Sequence, residues 1–324
     1  MATLNVPIDL VDLSEVKKSL QRRIALIQDA VLDRKVIVII NGKGGVGKSS
    51  LAAALAVALA KVGKKTALIE MDEQGNNCED LGITGSALDD GGESQATAIL
   101  DGKPLTPTGQ ARPNLHVIPG GDALEDVVEE LYVQRRYASY QDALEDQQAW
   151  MGMYAAAIDR LRDDYDVIIL DVAPGSEVLQ AQALVAGDMV VIPSKSDPSS
   201  RKGLRVVARR FGQARALNGM LRLLGVVLFA TNTSATKVQK NIKEDLEQDL
   251  KGNAPVFEQA IRHVEAAAVA CRKAGKVPQE MRSMKDIDPG TAKSIKALAG
   301  DYQSLAMEVM EAWIALDNEE DGDE

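Results

Sequence analysis

Short apolar runs alternate along the chain with segments whose apolar residues recur every three or four positions. The apolar runs, rich in Val, Ile and Leu, predict β-strands over residues 35–41, 65–70, 115–118, 165–171, 188–193 and 223–229. The segments of helical period predict helices over residues 14–33, 50–60, 123–137, 147–162, 177–185 and 199–217. Strands that alternate with helices are typical of an α/β fold, here a doubly wound, mostly parallel sheet with helices on both faces. The ligand loops of such a fold lie at the carboxyl ends of the strands.

Both ends of the chain differ from this pattern. Residues 1–34 form a predicted helical extension, which either packs on the main domain or contributes a dimer contact. The main domain is predicted over residues 35–317. Within it, residues 82–95 are rich in Gly, Asp and Ser and are expected to form an exposed, mobile loop. Residues 318–324 belong to an acidic run without apolar side chains, for which disorder is the simplest expectation.

A glycine-rich loop follows the first predicted strand and leads into the next helix. Residues 42–49 read Gly-Lys-Gly-Gly-Val-Gly-Lys-Ser and match the phosphate-binding pattern G-x-x-x-x-G-K-[ST]. In this pattern backbone N–H groups surround the phosphates, the lysine reaches the β- and γ-phosphate oxygens, and the hydroxyl binds Mg²⁺. The chain is therefore predicted to be a P-loop protein that binds a nucleoside triphosphate. The candidate nucleotide-binding residues of this loop are Gly42, Lys43, Gly44, Gly45, Val46, Gly47, Lys48, Ser49 and Ser50.

Two aspartates at the ends of predicted strands are candidates for the chemistry. Asp171 ends an apolar strand in the form of a Walker B motif, where it can hold Mg²⁺ through a water molecule opposite Ser49. Asp72 follows the strand after the first helix, where a carboxylate can position the water that attacks the γ-phosphate. The alternative for Asp72 is a solvated loop acid. The candidate metal site comprises Ser49, Asp72 and Asp171.

Composition narrows the class of protein. No run approaches the roughly 18 apolar residues of a membrane span, the N-terminus lacks a signal-peptide layout, and a cytoplasmic protein is expected. The two cysteines, Cys78 and Cys271, lie far apart and predict neither a disulfide framework nor a zinc site.

The net charge is −11, yet residues 195–300 carry 20 Lys and Arg against 10 Asp and Glu. A local basic face can bind a polyanion whatever the total charge.

The basic residues concentrate in one predicted helix and the segment after it. Residues 198–243 contain ten Lys and Arg and no acid. Arg201, Arg205 and Arg209 recur every four residues and share a helix face, and an apolar face is predicted from Leu204, Val207, Ala208 and Phe211. Few aromatic residues are present, so contacts to DNA phosphates without sequence preference are expected. The alternative is pairing with acids elsewhere in the chain. The candidate DNA-binding residues are Arg201, Arg205, Arg209, Arg210, Arg215, Lys237, Lys240 and Lys243.

Three segments resemble the ParA/MinD family of ATPases. Residues 43–49 are similar to its deviant Walker A motif, residues 70–76 to its D-x-D-P-Q-G-N segment, and residues 186–193 to its A-x-D-x-V-x-I-P segment. The Q-G-N residues point to the ParA branch, the DNA-partitioning ATPases. Glu70 and Glu73 depart from the motif, and the loss of proline at Glu73 frees the backbone there, which bears on the rate of hydrolysis.

The resemblance implies a nucleotide-switched homodimer. ATP with Mg²⁺ would join two subunits face to face, hydrolysis would release them, and the dimer would bind double-stranded DNA without sequence preference. Lys43 would reach the phosphates of the partner subunit, and Asp72 would be needed for hydrolysis. Catalytic roles are thus implied for Lys43, Lys48, Asp72 and Asp171, and a nucleotide contact for Asn232. The resemblance also implies that hydrolysis is slow and is stimulated by DNA and by a ParB-like, centromere-binding adaptor protein. It further implies a nucleoid location and a function in plasmid or chromosome partition.

Three other functions compete with partition. A nucleoid-based ATPase that positions a protein cargo would use the same residues. A small-molecule phosphotransferase is the second rival, although no acceptor-binding motif is recognised. A membrane switch of the MinD type would need a basic amphipathic helix at the C-terminus, and nine acids with no Lys or Arg follow from Asp301 onward. Membrane binding is therefore disfavoured.

Overall fold

A computed structural model gives the fold of the chain. It describes residues 34–195, 198–229, 255–282 and 287–321, together with Lys18, Lys243 and Glu244. For residues 198–202 and 318–321 it describes the backbone alone. The helix predicted over residues 14–33 lies outside these ranges, apart from Lys18.

Among the described residues, seven strands form one sheet. They are β1 (Val36–Ile39), β2 (Thr66–Met71), β3 (Gly109–Arg112), β4 (Leu115–Ile118), β5 (Val167–Val172), β6 (Met189–Ser194) and β7 (Arg222–Leu228). Their order across the sheet is β3-β4-β2-β5-β1-β6-β7, and neighbours are parallel except for β3 and β4. The predicted strands and the doubly wound, mostly parallel sheet are confirmed.

Helices cover both faces of the sheet. They are α1 (Lys48–Lys61), α2 (Asn76–Leu81), α3 (Glu93–Leu100), α4 (Leu124–Ala138), α5 (Leu144–Gln148), α6 (Met153–Asp164), α7 (Glu177–Ala186), α8 (Pro198–Arg215), α9 (Glu265–Lys273), α10 (Pro278–Met281) and α11 (Pro289–Asp321). A 3₁₀ turn, Ala149–Gly152, separates α5 from α6. The single helix predicted over residues 147–162 is therefore interrupted, at a glycine with low helix propensity.

Successive residues of the central strand β1 face opposite sides of the sheet. Val36 and Val38 belong to the core beneath α4, α6, α7 and α8, and Ile37 and Ile39 belong to the core beneath α1, α9 and α11. This alternation follows from the two-residue period of a strand. Because both faces are covered, parallel strands are largely apolar, which is why the parallel strands appear in the sequence as mostly apolar runs.

Asp188 joins the first strand to two neighbouring elements. Its carboxylate accepts hydrogen bonds from the backbone N–H groups of Lys35 and Val36, both at 2.8 Å. It also binds the Arg162 guanidinium through two hydrogen bonds of 2.7 and 2.9 Å. Asp188 directly precedes β6 and Arg162 lies in the last turn of α6. The ion pair therefore holds the amino ends of β1 and β6 against the end of α6.

The structure differs from the sequence predictions at one edge of the sheet. The edge strand β3, which was not predicted, reads Gly-Gln-Ala-Arg and lacks the β-branched residues that mark strands. It forms through antiparallel pairing with β4. Helix α3 begins at Glu93, so it includes the last residues of the loop predicted over residues 82–95.

The long helix α11 was also not predicted. It packs across α1, α9 and α10, and its buried side chains include Leu298, Leu305 and Val309. Arg34 donates to the carbonyl of Leu316 and pairs with Asp317 at 2.8 Å. The helix continues through Asp321, four residues into the tail predicted to be disordered, because extending an existing helix costs little. No helix in the described parts of the chain is long and apolar enough to cross a membrane.

Replacing Asp188 with alanine should lower the unfolding free energy by about 3–5 kcal/mol, because the largely buried Arg162 guanidinium would lose the carboxylate that balances its charge. Urea denaturation followed by circular dichroism measures the change. Asp101→Ala removes an exposed 2.7 Å pair with Lys103 and is the control, with an expected cost of at most about 1 kcal/mol. Equal losses in the two variants would contradict the structural role of Asp188.

Candidate nucleotide-binding site

The glycine-rich loop passes from β1 to α1 through two left-handed glycines. Gly45 has a φ of 68° and Gly47 a φ of 87°, values that residues with a Cβ rarely adopt. At Gly47 a Cβ would also lie 2.2 Å from the ring of Phe229. Helix α1 begins at Lys48, so the loop meets the positive end of the helix dipole. A loop of this form before a helix N-terminus is suited to bind phosphate.

Asn41 holds the start of this loop in place. Its buried side-chain amide donates to the Pro193 carbonyl at 2.7 Å and accepts the N–H of Lys43 at 2.9 Å. Gly203, in the second turn of α8, packs against the same side chain, because a Cβ on Gly203 would lie 2.4 Å from the Asn41 oxygen. The start of the loop, the end of β6 and helix α8 are therefore in direct contact.

Lys48 and Asp171 are buried at the carboxyl ends of the central strands. Asp171 in β5 is in register with the last residue of β1. Burial raises the pKa of Asp171 to about 6, while a hydrogen bond from Ser49 and the charge of Lys48 lower it. Burial lowers the pKa of Lys48, while Asp171 and Asp72 raise it. The Lys48 ammonium donates to the carbonyl of Lys43 at 3.3 Å.

Asp72 lies in the turn after β2 and is 5% exposed. Its carboxylate accepts the N–H of Gln74 at 3.0 Å, and its carbonyl accepts the N–H of Gly121 at 3.1 Å. It lines the same cavity as Lys48 and Ser49. The alternative of a solvated loop acid is therefore wrong, and the catalytic role of Asp72 stays a prediction.

Sequence reasoning missed Asn77 and treated Glu70 only as a departure from a motif. The Asn77 side chain donates to Asp171 Oδ2 at 2.8 Å, and its backbone N–H donates to Glu70 Oε1 at 2.9 Å. Burial and the nearby Asp171 raise the pKa of Glu70 well above its usual range. Glu70 Oε2, Asn77 Oδ1 and Asp171 Oδ1 are buried and have no hydrogen-bond partner among the described residues. The signal that could have identified Asn77 is its position directly after the Q-G-N residues.

A cavity of about 380 Å³ adjoins these residues. Its wall includes Lys195 after β6 and Phe229 after β7, both at carboxyl ends of strands. His263 and Arg272 also line it, and Arg272 pairs with Asp80 at 2.9 Å. The strand-end rule could have identified Lys195. No sequence pattern connects His263 or Arg272 to a loop so far away along the chain.

This site fits a nucleotide phosphate chain with Mg²⁺. Among the described residues no group of three or more His, Cys, Asp and Glu side chains could hold a metal ion. Mg²⁺ keeps several waters and shares its coordination with substrate phosphates, so one or two carboxylates are sufficient. The Ser49 hydroxyl and the unpartnered Asp171 Oδ1 are suited to that role. The buried Lys48 and the left-handed glycines are suited to the phosphates.

Helix α8 presents arginines on its outer side. Arg205, Arg209 and Arg215 are exposed, and Val207 is buried, as the helical period predicts. Ala208 was predicted on the apolar face and is exposed. It lies three residues after Arg205 and therefore on the same side of the helix. The roles of these arginines in binding DNA stay predictions.

Other predicted basic residues contact neighbours or lie outside the described ranges. Arg210 donates to the side chain of Gln180 on α7. Lys243 pairs with Glu258 at 2.6 Å. For this lysine the structure therefore shows the pairing with an acid that was the alternative to a DNA contact. The residues outside the described parts are the side chain of Arg201 and the whole of Asn232, Lys237 and Lys240.

Arg135, in the last turn of α4, adds a cation that the sequence did not indicate. Its guanidinium lies 3.1 Å from Glu177 in the first turn of α7. The pKa of Glu177 is lowered by a hydrogen bond from Arg135 and by the charges of Arg135, Arg210 and Arg209. One acid thus lies among three arginines contributed by α4 and α8.

Comparison with known proteins agrees with this geometry. An AAA domain family matches residues 34–223. The chromosome partitioning protein ParA of Caulobacter vibrioides is 32% identical over 220 residues, which cover 64% of this chain and 75% of that protein. The chromosome-partitioning ATPase Soj of Thermus thermophilus is 30% identical over 194 residues, 59% of this chain and 68% of that protein. The solved structure of pNOB8 ParA has a TM-score of 0.63 at 20% identity and covers 87% of this chain and 99% of its own.

The chain belongs to the ParA family of ATPases. The predicted family, fold class and ATPase activity are confirmed. The family match includes the P-loop, Asp72, Asn77 and Asp171. The buried residues around the P-loop of this ParA-family ATPase therefore lie inside the region that it shares with the family.

The stability of this ParA-family ATPase should depend on the protonation of Asp171. Its pKa of about 6 in the folded protein lies above the ordinary 3.8. The protonated carboxyl therefore contributes to the unfolding free energy below about pH 4, and this contribution is lost as the pH rises through about 6. Asp171→Asn is neutral at every pH and should gain stability over the wild type in this interval, by on the order of 3 kcal/mol. Urea denaturation of the nucleotide-free proteins between about pH 4 and pH 7 measures the difference. A difference independent of pH would contradict the raised pKa.

Proposed function

We propose that this ParA-family ATPase is a DNA-partition switch. It binds ATP with Mg²⁺, associates with a second copy, binds DNA without sequence preference, and releases both after hydrolysis. The supporting observation is the buried set of Lys48, Asp72 and Asp171 beside a left-handed glycine loop, in a chain whose relatives are named chromosome-partitioning ATPases. Its expected partners are a second copy, double-stranded DNA of the nucleoid, and a centromere-binding adaptor of the ParB type.

Hydrolysis would proceed by in-line attack of water on the γ-phosphate. Asp72 lines the cavity with Lys48, and in the proposed reaction it would accept a hydrogen bond from the attacking water. Lys48 would stabilise the negative charge that develops on the bridging oxygen as the bond to ADP breaks. When held at Ser49 and Asp171, Mg²⁺ supplies further neutralisation of the phosphate oxygens.

The start of the P-loop supports an intersubunit role for Lys43. Its N–H is held by Asn41 and its carbonyl by Lys48, so the main chain at this residue is fixed from both sides. Its side chain is partly exposed. In the proposed dimer each Lys43 binds the phosphates of the partner subunit, and the association lasts as long as the γ-phosphate is present.

The contact between Gly203 and Asn41 supports coupling of this switch to DNA. Asn41 positions Lys43, and Gly203 belongs to the arginine-bearing helix α8. Because no side chain separates them, a shift at the start of the loop would be transmitted to α8 directly. The exposed Arg205 and Arg209 then form the proposed DNA surface, and a dimer presents that surface twice.

Asp72→Ala should bind ATP and dimerise but hydrolyse ATP only at background rate, because the phosphate-binding loop remains intact while the water loses its acceptor. Phosphate release and size-exclusion chromatography with ATP measure the two properties. The exposed Asp126→Ala on α4 is the matched control and should behave as the wild type. Hydrolysis by Asp72→Ala at the wild-type rate would assign the catalytic role to another residue.

Replacing Arg205 and Arg209 with glutamate should abolish DNA binding while ATP-dependent dimerisation survives. For the wild type we expect equal affinity for unrelated duplexes and a steep loss of affinity with salt, since about 0.9 counterions are released per phosphate contacted. Fluorescence anisotropy in a salt titration measures both. Lys61→Glu with Lys64→Glu makes the same change in charge at two exposed residues at and just after the end of α1, and it should retain binding. Equal DNA affinity in both double variants would refute the α8 surface.

A further inference from the structure

Asn77 connects two acidic residues on neighbouring strands. It is 4% exposed and lies in the first turn of α2, directly after the segment that contains Asp72. Its side-chain amide donates to Asp171 Oδ2 at 2.8 Å, and its backbone N–H donates to Glu70 Oε1 at 2.9 Å. Glu70 and Asp171 are themselves paired in the register of β2 and β5. One residue therefore fixes two carboxyl groups through two different atoms.

The bond to Asp171 also distinguishes its two oxygens. Oδ2 is occupied by the Asn77 amide, whereas Oδ1 is buried and has no partner among the described residues. A carboxylate that is held by one oxygen has a fixed orientation, and its other oxygen remains available for a metal-bound water. The Asn77 amide therefore leaves Oδ1 as the oxygen that can face the ion, and together with Ser49 it helps to fix the direction of the Asp171 carboxylate.

The side-chain oxygen of Asn77 is a second indication that a polar ligand binds here. Its Oδ1 is buried without a partner in the described structure, as is Glu70 Oε2. Buried polar atoms without a partner are rare in folded proteins and are normally satisfied by water or an ion. With Asp171 Oδ1 they make three such atoms on three residues joined by hydrogen bonds. Such a set is suited to the water shell of a magnesium ion.

We propose that Asn77 is a positioning residue for the magnesium site, acting through Asp171. It orients the Asp171 carboxylate and links that orientation to the segment that carries Asp72. Binding of the hydrated ion and ordering of this segment are then one event. This inference rests on the proposed use of ATP with Mg²⁺, and it adds a residue outside the motifs from which that use is inferred.

Asn77→Ala tests the proposal, because it removes the amide and keeps the backbone N–H that binds Glu70. The measurement is calorimetric titration of Mg²⁺ into protein saturated with ADP, together with titration of ADP in the presence of EDTA. We expect the apparent Mg²⁺ affinity to fall by about 10- to 100-fold, the range found when partners of metal ligands are removed. The affinity for metal-free ADP should stay unchanged, since the P-loop and Lys48 are untouched.

Asn218→Ala is the matched control. Asn218 is also a buried asparagine, 6% exposed, whose amide donates to the backbone carbonyls at the end of α7. Its loss should lower thermal stability and leave the Mg²⁺ affinity unchanged. Asn77→Leu approximates the shape of the side chain, removes the donor and adds no charge, so it should weaken Mg²⁺ about as much as Asn77→Ala. This second variant keeps the test valid if the alanine variant folds poorly.

The outcomes distinguish failure of the Asn77 role from failure of the proposed function. An unchanged Mg²⁺ affinity in both Asn77 variants overturns the positioning role and leaves the partition function standing. Equal losses of ADP affinity with and without Mg²⁺ show a purely structural role and also overturn it. A wild-type protein that binds no ADP under either condition refutes the nucleotide switch itself.

Discussion

Burial of like charges at one end of the central strands is the constraint on which the site depends. Glu70, Asp72 and Asp171 are each at most 5% exposed, and the buried ammonium of Lys48 interacts with Asp72 and Asp171. Carboxylates in a dry environment repel one another strongly unless they are protonated, hydrogen-bonded or paired with a cation. Backbone N–H groups, Ser49 and Asn77 supply part of this compensation. A divalent ion with a phosphate chain would supply the rest, so ligand binding and the order of these loops are thermodynamically linked.

The central part of this arrangement could be predicted from the sequence for a simple physical reason. Parallel strands with both faces covered are continuous apolar runs, and the residues directly after each run lie at the same edge of the sheet. The P-loop, Asp72 and Asp171 come at the ends of three such runs, and their residue types identify the chemistry without any knowledge of contacts. The same rule applied to β6 leads to Lys195.

The remaining features depend on contacts between distant parts of the chain. Strand β3 lacks residues that favour strands, and it forms because its backbone pairs with the free edge of β4. Arg272 reaches this cavity through the packing of α9 against α2 and α11. Asn77 looks like any polar residue at the start of a helix, and its significance appears only once Asp171 is found 2.8 Å away. Local periodicity contains no information of this kind.

The edges of the sheet limit how copies of this protein can assemble. At one side β3 is four residues long and its register against β4 is shifted. At the other side, β7 is partly covered, since Val226 exchanges backbone hydrogen bonds with Pro255 and Phe257. Neither edge, within the described residues, offers the long unpaired row of N–H and C=O groups that strand addition requires. We therefore expect the proposed association of copies to use loops and helices rather than a continuous intermolecular sheet, so that it can reverse when the nucleotide changes.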